Sequence, residues 1–262
     1  MVDTGAIEIC EIVGQRQFPG TSLFEMVLDC PTCALQVQPG QFVHLGLPQP
    51  SQHILRRPLS VYQTDIVFGT ITLLYQVMGA GTELLSQLGA GTQLDLIGPL
   101  GRGWQPQEAQ SCLVIGGGVG AAPLFLLVKQ LLEKGVEVDL ILGAATAKLL
   151  VCEASFKALL ARRSLFITTD DGSKGFHGFT TELAAIRLAE SSYDYLAACG
   201  PEPMLQAVAK LTADTGIRTE LSLERRMACG IGVCLSCVVE TTAGKKRSCV
   251  DGPVFAAEEV CW

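Results

Sequence analysis

Short apolar runs broken by polar residues and turns fill the first hundred positions. Residues 6–13, 22–28, 41–47, 59–63, 71–77 and 93–97 each carry the length and composition of a strand with one face turned inward. Pro19-Gly20, Pro39-Gly40, Gly89 to Gly91 and Gly98-Pro99 punctuate them. Six strands spaced this way predict a closed antiparallel barrel. A single helix is expected inside this region, over 82–88, after Gly79-Ala80-Gly81.

Near residue 104 the pattern changes. Apolar strand-like runs at 111–115, 136–142, 165–169, 193–198 and 217–223 now alternate with helical stretches at 122–133, 146–160, 180–189 and 203–212. Repeated strand–helix units predict a five-stranded parallel, doubly wound sheet. Beyond it lies a short cysteine-rich tail. The expected organisation is a barrel over 1–103, an α/β domain over 104–223 and a small module over 224–262. No internal repeat is visible.

Composition narrows the chemistry. The chain has 262 residues, 48% of them hydrophobic, which is enough for two cores. A formal charge of −7 argues against nucleic acid as a partner. No apolar run is long enough to span a bilayer, and the opening Met-Val-Asp-Thr-Gly has no leader pattern, so no membrane association is expected and the expected compartment is the cytoplasm. Eleven cysteines in such a chain point to metal and redox chemistry rather than to disulfides.

The most specific motif is Arg226-Met-Ala-Cys-Gly-Ile-Gly-Val-Cys-Leu-Ser-Cys237, with Cys249 twelve residues on. Cys229, Cys234 and Cys237 form a C-x4-C-x2-C run, the spacing of a [2Fe–2S] loop. The small residues between them let backbone N–H groups turn toward sulfur. A structural zinc site is the alternative, although zinc usually takes its cysteines as two close pairs from separate knuckles.

In the barrel region, Arg56-Arg57-Pro58-Leu59-Ser60 places two guanidinium groups before a strand, where they can grip a pyrophosphate; a solvated basic pair is the plainer alternative. Leu74-Tyr75-Gln76 and the helix start at Gly81-Thr82 are a second candidate, since N-terminal N–H groups bind phosphate; a helix simply capped by Thr82 is the other reading. In the α/β region the first strand runs into Gly116-Gly117-Gly118-Val119-Gly120, where a dinucleotide's phosphates would approach the backbone. Cys199-Gly200-Pro201 closes the fourth strand on the same crevice edge. No acid ends the second strand, so NAD and NADP are not distinguished.

Other features are read as structural. Cys30-Pro-Thr-Cys33 is taken as a turn in a β-rich region rather than a redox pair at a helix start. Cys10, Cys112 and Cys152 read as core. His44, His53 and His177 form no ligand pattern, and Thr169-Asp-Asp-Gly-Ser173 reads as a solvated turn.

Together these motifs resemble the ferredoxin–NADP reductase superfamily, whose barrel holds a flavin. Leu59 stands where that family's Arg-x-Tyr-Ser motif has an aromatic residue. Within the superfamily, several motifs are similar to the electron-transfer subunits of NAD-linked dihydroorotate dehydrogenases. They are Pro39-Gly40-Gln41-Phe42, Arg56 to Ser60, Gly98-Pro99-Leu100-Gly101, Ile115 to Gly120, Cys199-Gly200-Pro201, Glu224 to Cys234 and Cys249 to Phe255. Gln76 replaces that family's arginine after Tyr75. The resemblance implies FAD at Arg57, Pro58, Leu59, Ser60, Leu74, Tyr75, Gln76, Gly81 and Thr82. It implies NAD at Gly116, Gly117, Gly118, Gly120, Cys199, Gly200 and Pro201, and a [2Fe–2S] cluster on Cys229, Cys234, Cys237 and Cys249. No catalytic side chain is expected in this chain. The implied partner is a separate FMN-containing subunit that oxidises dihydroorotate in pyrimidine synthesis, in a heterotetramer with two copies of each. A related NAD(P)H–ferredoxin or sulfur-compound reductase subunit would have the same layout. Ile231, Val233 and Leu235, with Val254 and Phe255, flank the cysteines as a candidate apolar docking patch.

Overall fold

The computed structural model describes residues 5–48, 54–160 and 164–262. His53 and the first four residues, on which the leader reading rests, lie outside that range. The contacts group the chain into two compact units.

The first unit comprises Met1–Gly103, Arg225–Val239 and Lys245–Pro253. Its framework is a closed barrel of β1 (Ala6–Gln17), β2 (Leu23–Asp29), β3 (Phe42–Leu45), β4 (Arg57–Asp65), β5 (Thr70–Gln76) and β6 (Gln93–Leu100), in the order β1-β2-β5-β4-β3-β6. All neighbours run antiparallel. Alternation decides which side chains enter: Cys10, Ile12, Met26, Leu28, Ile71, Leu73 and Leu96 are fully buried, while Ile7, Ile9 and Val13 of the same β1 point outward. Each buried aliphatic side chain contributes about 1.5–3 kcal/mol. Two short helices sit among the strands, α1 (Pro31–Gln36) and α2 (Ala80–Ser86).

The first helix corrects the sequence reading. Cys30-Pro-Thr-Cys33 does stand at a helix start: Cys30 is the N-cap and Pro31 the first helical residue. Proline fits there because its missing N–H would have no helical acceptor. The second helix begins two residues earlier than expected, which moves Thr82 from the cap to the third helical position.

The second unit comprises Trp104–Glu224, Glu240–Gly244 and Val254–Trp262. The expected five parallel strands are present as β7 (Ser111–Gly117), β8 (Glu137–Ala144), β9 (Leu165–Thr169), β11 (Tyr195–Cys199) and β12 (Arg218–Ser222). The sheet has seven strands, in the order β10-β9-β8-β7-β11-β12-β15. The extra edges are the two-residue β10 (Phe176–His177), parallel to β9, and β15 (Val254–Ala256), antiparallel to β12. Helices α3 (Phe125–Glu133), α4 (Glu153–Leu159), α5 (Thr180–Glu190) and α6 (Glu202–Thr212) connect the strands. Val254 and Phe255 are therefore core residues, 4% and 2% exposed, and do not belong to a surface patch. A ribbon of β13 (Val238–Thr241) and β14 (Gly244–Arg247) follows the cysteine run.

Candidate functional site

The cysteine loop is built against the barrel's own strands. Residues 224–237 contain no helix or strand. Gly230 and Gly232 take φ of +71° and +83°, and Leu235 takes +55°, so the chain curls tightly. A β-carbon on Gly230 would run into the His44 ring of β3, and one on Gly232 would come within 2.7 Å of Val250. Cys237 and Cys249 are buried with Phe42 and Leu100, against Ile97, Met227 and Val250. Arg247 ties the loop down, donating to Gly232 O at 3.3 Å while pairing with Asp251 at 3.1 Å.

The four thiols fall into two pairs. The Cys234 N–H donates to Cys229 Sγ at 3.4 Å, and Cys237 lies beside Cys249 in the buried cluster. Burial disfavours the Cys229 thiolate, but backbone N–H groups of Cys234, Ile231 and Val233 outweigh it and bring the thiol down to about 7. Burial, then contact with Cys237, pushes Cys249 up to about 12. Four ligands of one zinc ion would lie about 3.8 Å from one another. Among the described residues no three of these cysteines have sulfurs mutually within 4.8 Å. Cys229 beside Cys234 and Cys237 beside Cys249 suit a binuclear cluster, which takes two thiolates at each iron, so the donor set fits [2Fe–2S].

On the barrel, the two arginines have different work. Arg56 is committed to the fold: it pairs with Asp95 at 2.5 Å and donates to the Asp95 and His44 carbonyls at 3.0 and 3.4 Å. Arg57 holds the Leu55 carbonyl at 2.6 Å, and its guanidinium lies so close over Gly81 that a β-carbon there would overlap it. The structure thus brings together Arg57 and the start of α2. Arg57, Pro58, Leu59 and Ser60 form a half-buried strip on β4 before the strand sinks at Val61. A cation, a helix start and a partly open strand edge fit a flavin pyrophosphate.

The remaining barrel candidates are placed differently. The Tyr75 hydroxyl donates to Gln15 at 3.0 Å, its ring stacks on Phe24, and it is 2% exposed. Gln15 in turn donates to the Leu85 and Leu88 carbonyls, so Tyr75 supports α2 from below. Leu74 is buried, Gln76 donates to the Ser22 hydroxyl at 3.1 Å, and the Thr82 hydroxyl accepts the Met78 and Gly79 N–H groups.

In the second unit, the glycines after β7 divide by role. A β-carbon on Gly116 would meet Ala121 at 2.9 Å, on Gly117 the Met204 sulfur at 2.7 Å, and on Gly120 the Gly200 backbone at 2.7 Å. These three serve close packing, and Gly120 brings the turn against Cys199-Gly200. Gly118 alone combines a φ of +58° with open space before it. It borders a cleft whose lining includes Leu142, Gly143, Leu150 and Glu153, beyond the ends of the parallel strands. The open space before Gly118 fits the approach of a dinucleotide's phosphates to the backbone. Cys199 is buried, and burial pushes its thiol up to about 12, which leaves it neutral.

Two residues at these sites carried no local signal. Glu153 lines the cleft. Burial works against its charge, but Lys157 at 2.5 Å and Lys174 at 2.6 Å outweigh it and hold the carboxyl below its usual range. His44 is fully buried beside Gly230 and Arg56; burial and then the Arg56 charge bring its pKa down to about 4, so the ring is neutral. All four residues of its strand β3 are buried, which nothing in the local sequence announced.

Three family models match consecutive stretches of the chain: an oxidoreductase FAD-binding domain over residues 15–104, an oxidoreductase NAD-binding domain over 114–210, and the iron-sulfur cluster binding domain of dihydroorotate dehydrogenase B over 224–261. The dihydroorotate dehydrogenase B (NAD(+)) electron transfer subunit of Geobacillus thermodenitrificans is 40% identical over 255 residues, covering 95% of this chain and 96% of that protein. The subunit of the same description from Enterococcus faecalis is 40% identical over 262 residues, covering 97% of each. Among solved structures, an NADH-dependent reduced ferredoxin-NADP oxidoreductase aligns with a TM-score of 0.84 and 31% identity, covering 96% of this chain and 89% of that one. A Neisseria gonorrhoeae ferredoxin NADP+ reductase shares the fold at a TM-score of 0.67 and 16% identity, covering 80% of this chain and 92% of its own.

Proposed function

The chain belongs to the electron transfer subunits of NAD(+)-linked dihydroorotate dehydrogenase B, and on that premise we propose that it passes electrons between NAD and a separate FMN-containing subunit that oxidises dihydroorotate to orotate. The assembly would be a cytoplasmic heterotetramer with two copies of each subunit. Among the described residues, no helix is long and apolar enough to cross a membrane. The observation that carries the reading is the pair of cysteine pairs beside an exposed apolar rim. Cys234 is exposed, and Ile231, Val233 and Leu235 are 41%, 75% and 63% exposed. An exposed apolar rim marks an interface, here placed where an acceptor must approach.

The roles follow from position. Flavin, when bound, exchanges both hydride pairs and single electrons, whereas an iron–sulfur cluster takes one electron at a time. Arg57 and the start of α2 hold the flavin's phosphates, and the 57–60 strip positions its ring. Gly118 admits the nucleotide's phosphates to the backbone, and the buried, neutral Cys199 backs the turn at Gly120 without adding charge. Cys229, Cys234, Cys237 and Cys249 hold the cluster, and backbone N–H groups around Cys229 stabilise its anionic sulfur. No side chain here moves a proton of dihydroorotate; that chemistry belongs to the partner.

Replacing any one of the four cysteines with serine should remove most of the iron, measured per chain after purification. Cys152→Ser should leave iron unchanged. Iron equal to wild type in all four variants would refute the cluster assignment. The 31% identical ferredoxin-NADP oxidoreductase supports a second reading, in which the partner carries no FMN dihydroorotate site. Co-purification with untagged partners separates the two: an FMN-bearing companion supports the first, a different flavoprotein the second.

A further inference from the structure

Outside these sites, the barrel holds a second group of cysteines. Cys10 on β1 and Cys30 at the end of β2 face each other across the strand pair: Ile12 lies opposite Leu28 and Glu11 opposite Asp29, and the next step in that register puts Cys10 opposite Cys30. Their Sγ atoms are 2.6 Å apart. Cys33 follows one turn on in α1, and its thiol adjoins that of Cys30. All three are fully buried. The half-buried Glu8 closes the group: one carboxylate oxygen accepts from the Cys30 thiol at 3.2 Å and the Cys33 N–H at 3.2 Å, the other from the Thr32 N–H at 3.1 Å.

We propose that Cys10, Cys30 and Cys33 form a redox site in which oxidation joins Cys10 to Cys30 and Cys33 is the thiol that can reopen the bond. Directly opposed residues of an antiparallel pair have Cα separations of about 4.5–5.5 Å, inside the range a disulfide spans. Two sulfurs at 2.6 Å are well inside non-bonded contact, and small closure yields a bond. The same distance disfavours a shared metal ion, whose thiolates would stand about 3.8 Å apart.

The oxidant is a peroxide. As the Cys30 sulfur attacks the O–O bond and forms a sulfenic acid, its thiol proton passes by way of the Glu8 carboxylate to the departing hydroxide, which leaves as water. Cys10 sulfur then displaces the sulfenic oxygen as a second water, using its own thiol proton. Two thiols and one hydrogen peroxide thus become one disulfide and two waters. In reverse, Cys33 attacks Cys30 and releases Cys10, and an external dithiol reduces the resulting Cys30–Cys33 bond. Contact with Cys30 and burial hold the Cys10 thiol far above its ordinary range, and the Cys30 thiol is raised as well, so both rest protonated in the reduced barrel. The bond would tie β1 to the entry of α1 and lock that end of the barrel.

The test uses the cofactor-loaded complex, exposed to hydrogen peroxide, quenched, denatured in alkylating agent and mapped by mass spectrometry. The expected product is a peptide pair linked through Cys10 and Cys30, two hydrogens lighter than the separate thiols and restored by dithiothreitol. Iron per chain should be unchanged under the mildest dose that links them. Cys10→Ala should abolish the link, and Cys33→Ser should slow its reduction severalfold. The wild-type map decides the matter even if Cys10→Ala fails to fold. Full alkylation of Cys10 and Cys30 after oxidation that consumes other thiols would overturn the proposal. So would a link confined to Cys30 and Cys33. So would one zinc per chain in the untreated complex that disappears in Cys10→Ala, which would make the group a metal site.

Discussion

At the scale of single residues, adjacent side chains of one type are separated by what they reach. Arg56 ends on Asp95, while Arg57 lies across Gly81. Arg57→Ala should weaken FAD binding roughly thirtyfold, the loss of a charge-assisted contact of about 2 kcal/mol, read as FAD retained through dialysis. Arg56→Ala should instead lower the melting temperature of the loaded protein, because Asp95 loses its partner. The sequence offered the two adjacent arginines as a candidate phosphate grip but not their different partners, since Arg56 depends on an aspartate about forty positions away. The glycines after β7 carry the same lesson. All match a dinucleotide turn in sequence, yet only Gly118 faces open space. Gly118→Val should raise the KM for NADH at least tenfold, with FAD and iron retained. Normal NADH kinetics in that variant would restrict the glycine to a folding role.

At the scale of elements, what the sequence displayed best was what repeats locally. The barrel strands and the five parallel strands were legible because alternation and continuous apolar runs report one buried face or two. The elements missed are short or have distant partners. The three residues of β15 read as apolar neighbours of Cys249, because a strand that short has no period and its pairing with β12 spans about thirty positions. The six residues of α1 were hidden by a Cys-Pro-Thr-Cys string that suits a turn as well as a helix start. Phe255→Ala should test the place of β15 in the core. Removing a fully buried phenylalanine typically costs about 3–5 kcal/mol, so unfolding should shift to markedly lower denaturant. An unchanged midpoint would return Phe255 to the surface.

At the scale of the whole molecule, the chain carries FAD-binding, NAD-binding and iron-sulfur cluster binding domains, and its cysteine loop bears an exposed apolar rim. The cluster motif was fully legible, since ligand spacing is local and demanding. The seat it occupies was not, because Phe42 and Leu100 lie on strands far back in the chain. If the rim of Ile231, Val233 and Leu235 receives the partner, a charge placed there should uncouple the subunits and leave everything upstream intact. The most direct measurement compares dihydroorotate-dependent NAD reduction by this chain alone, by the chain with the FMN subunit, and by the Val233→Asp chain with the same subunit. NADH oxidation by an artificial dye is followed in parallel. The chain alone should show no dihydroorotate activity, the pair full activity, the Val233→Asp pair a loss of at least tenfold, and all three equal dye activity. Dihydroorotate oxidation by the chain alone, or full coupling through Val233→Asp, would contradict that expectation.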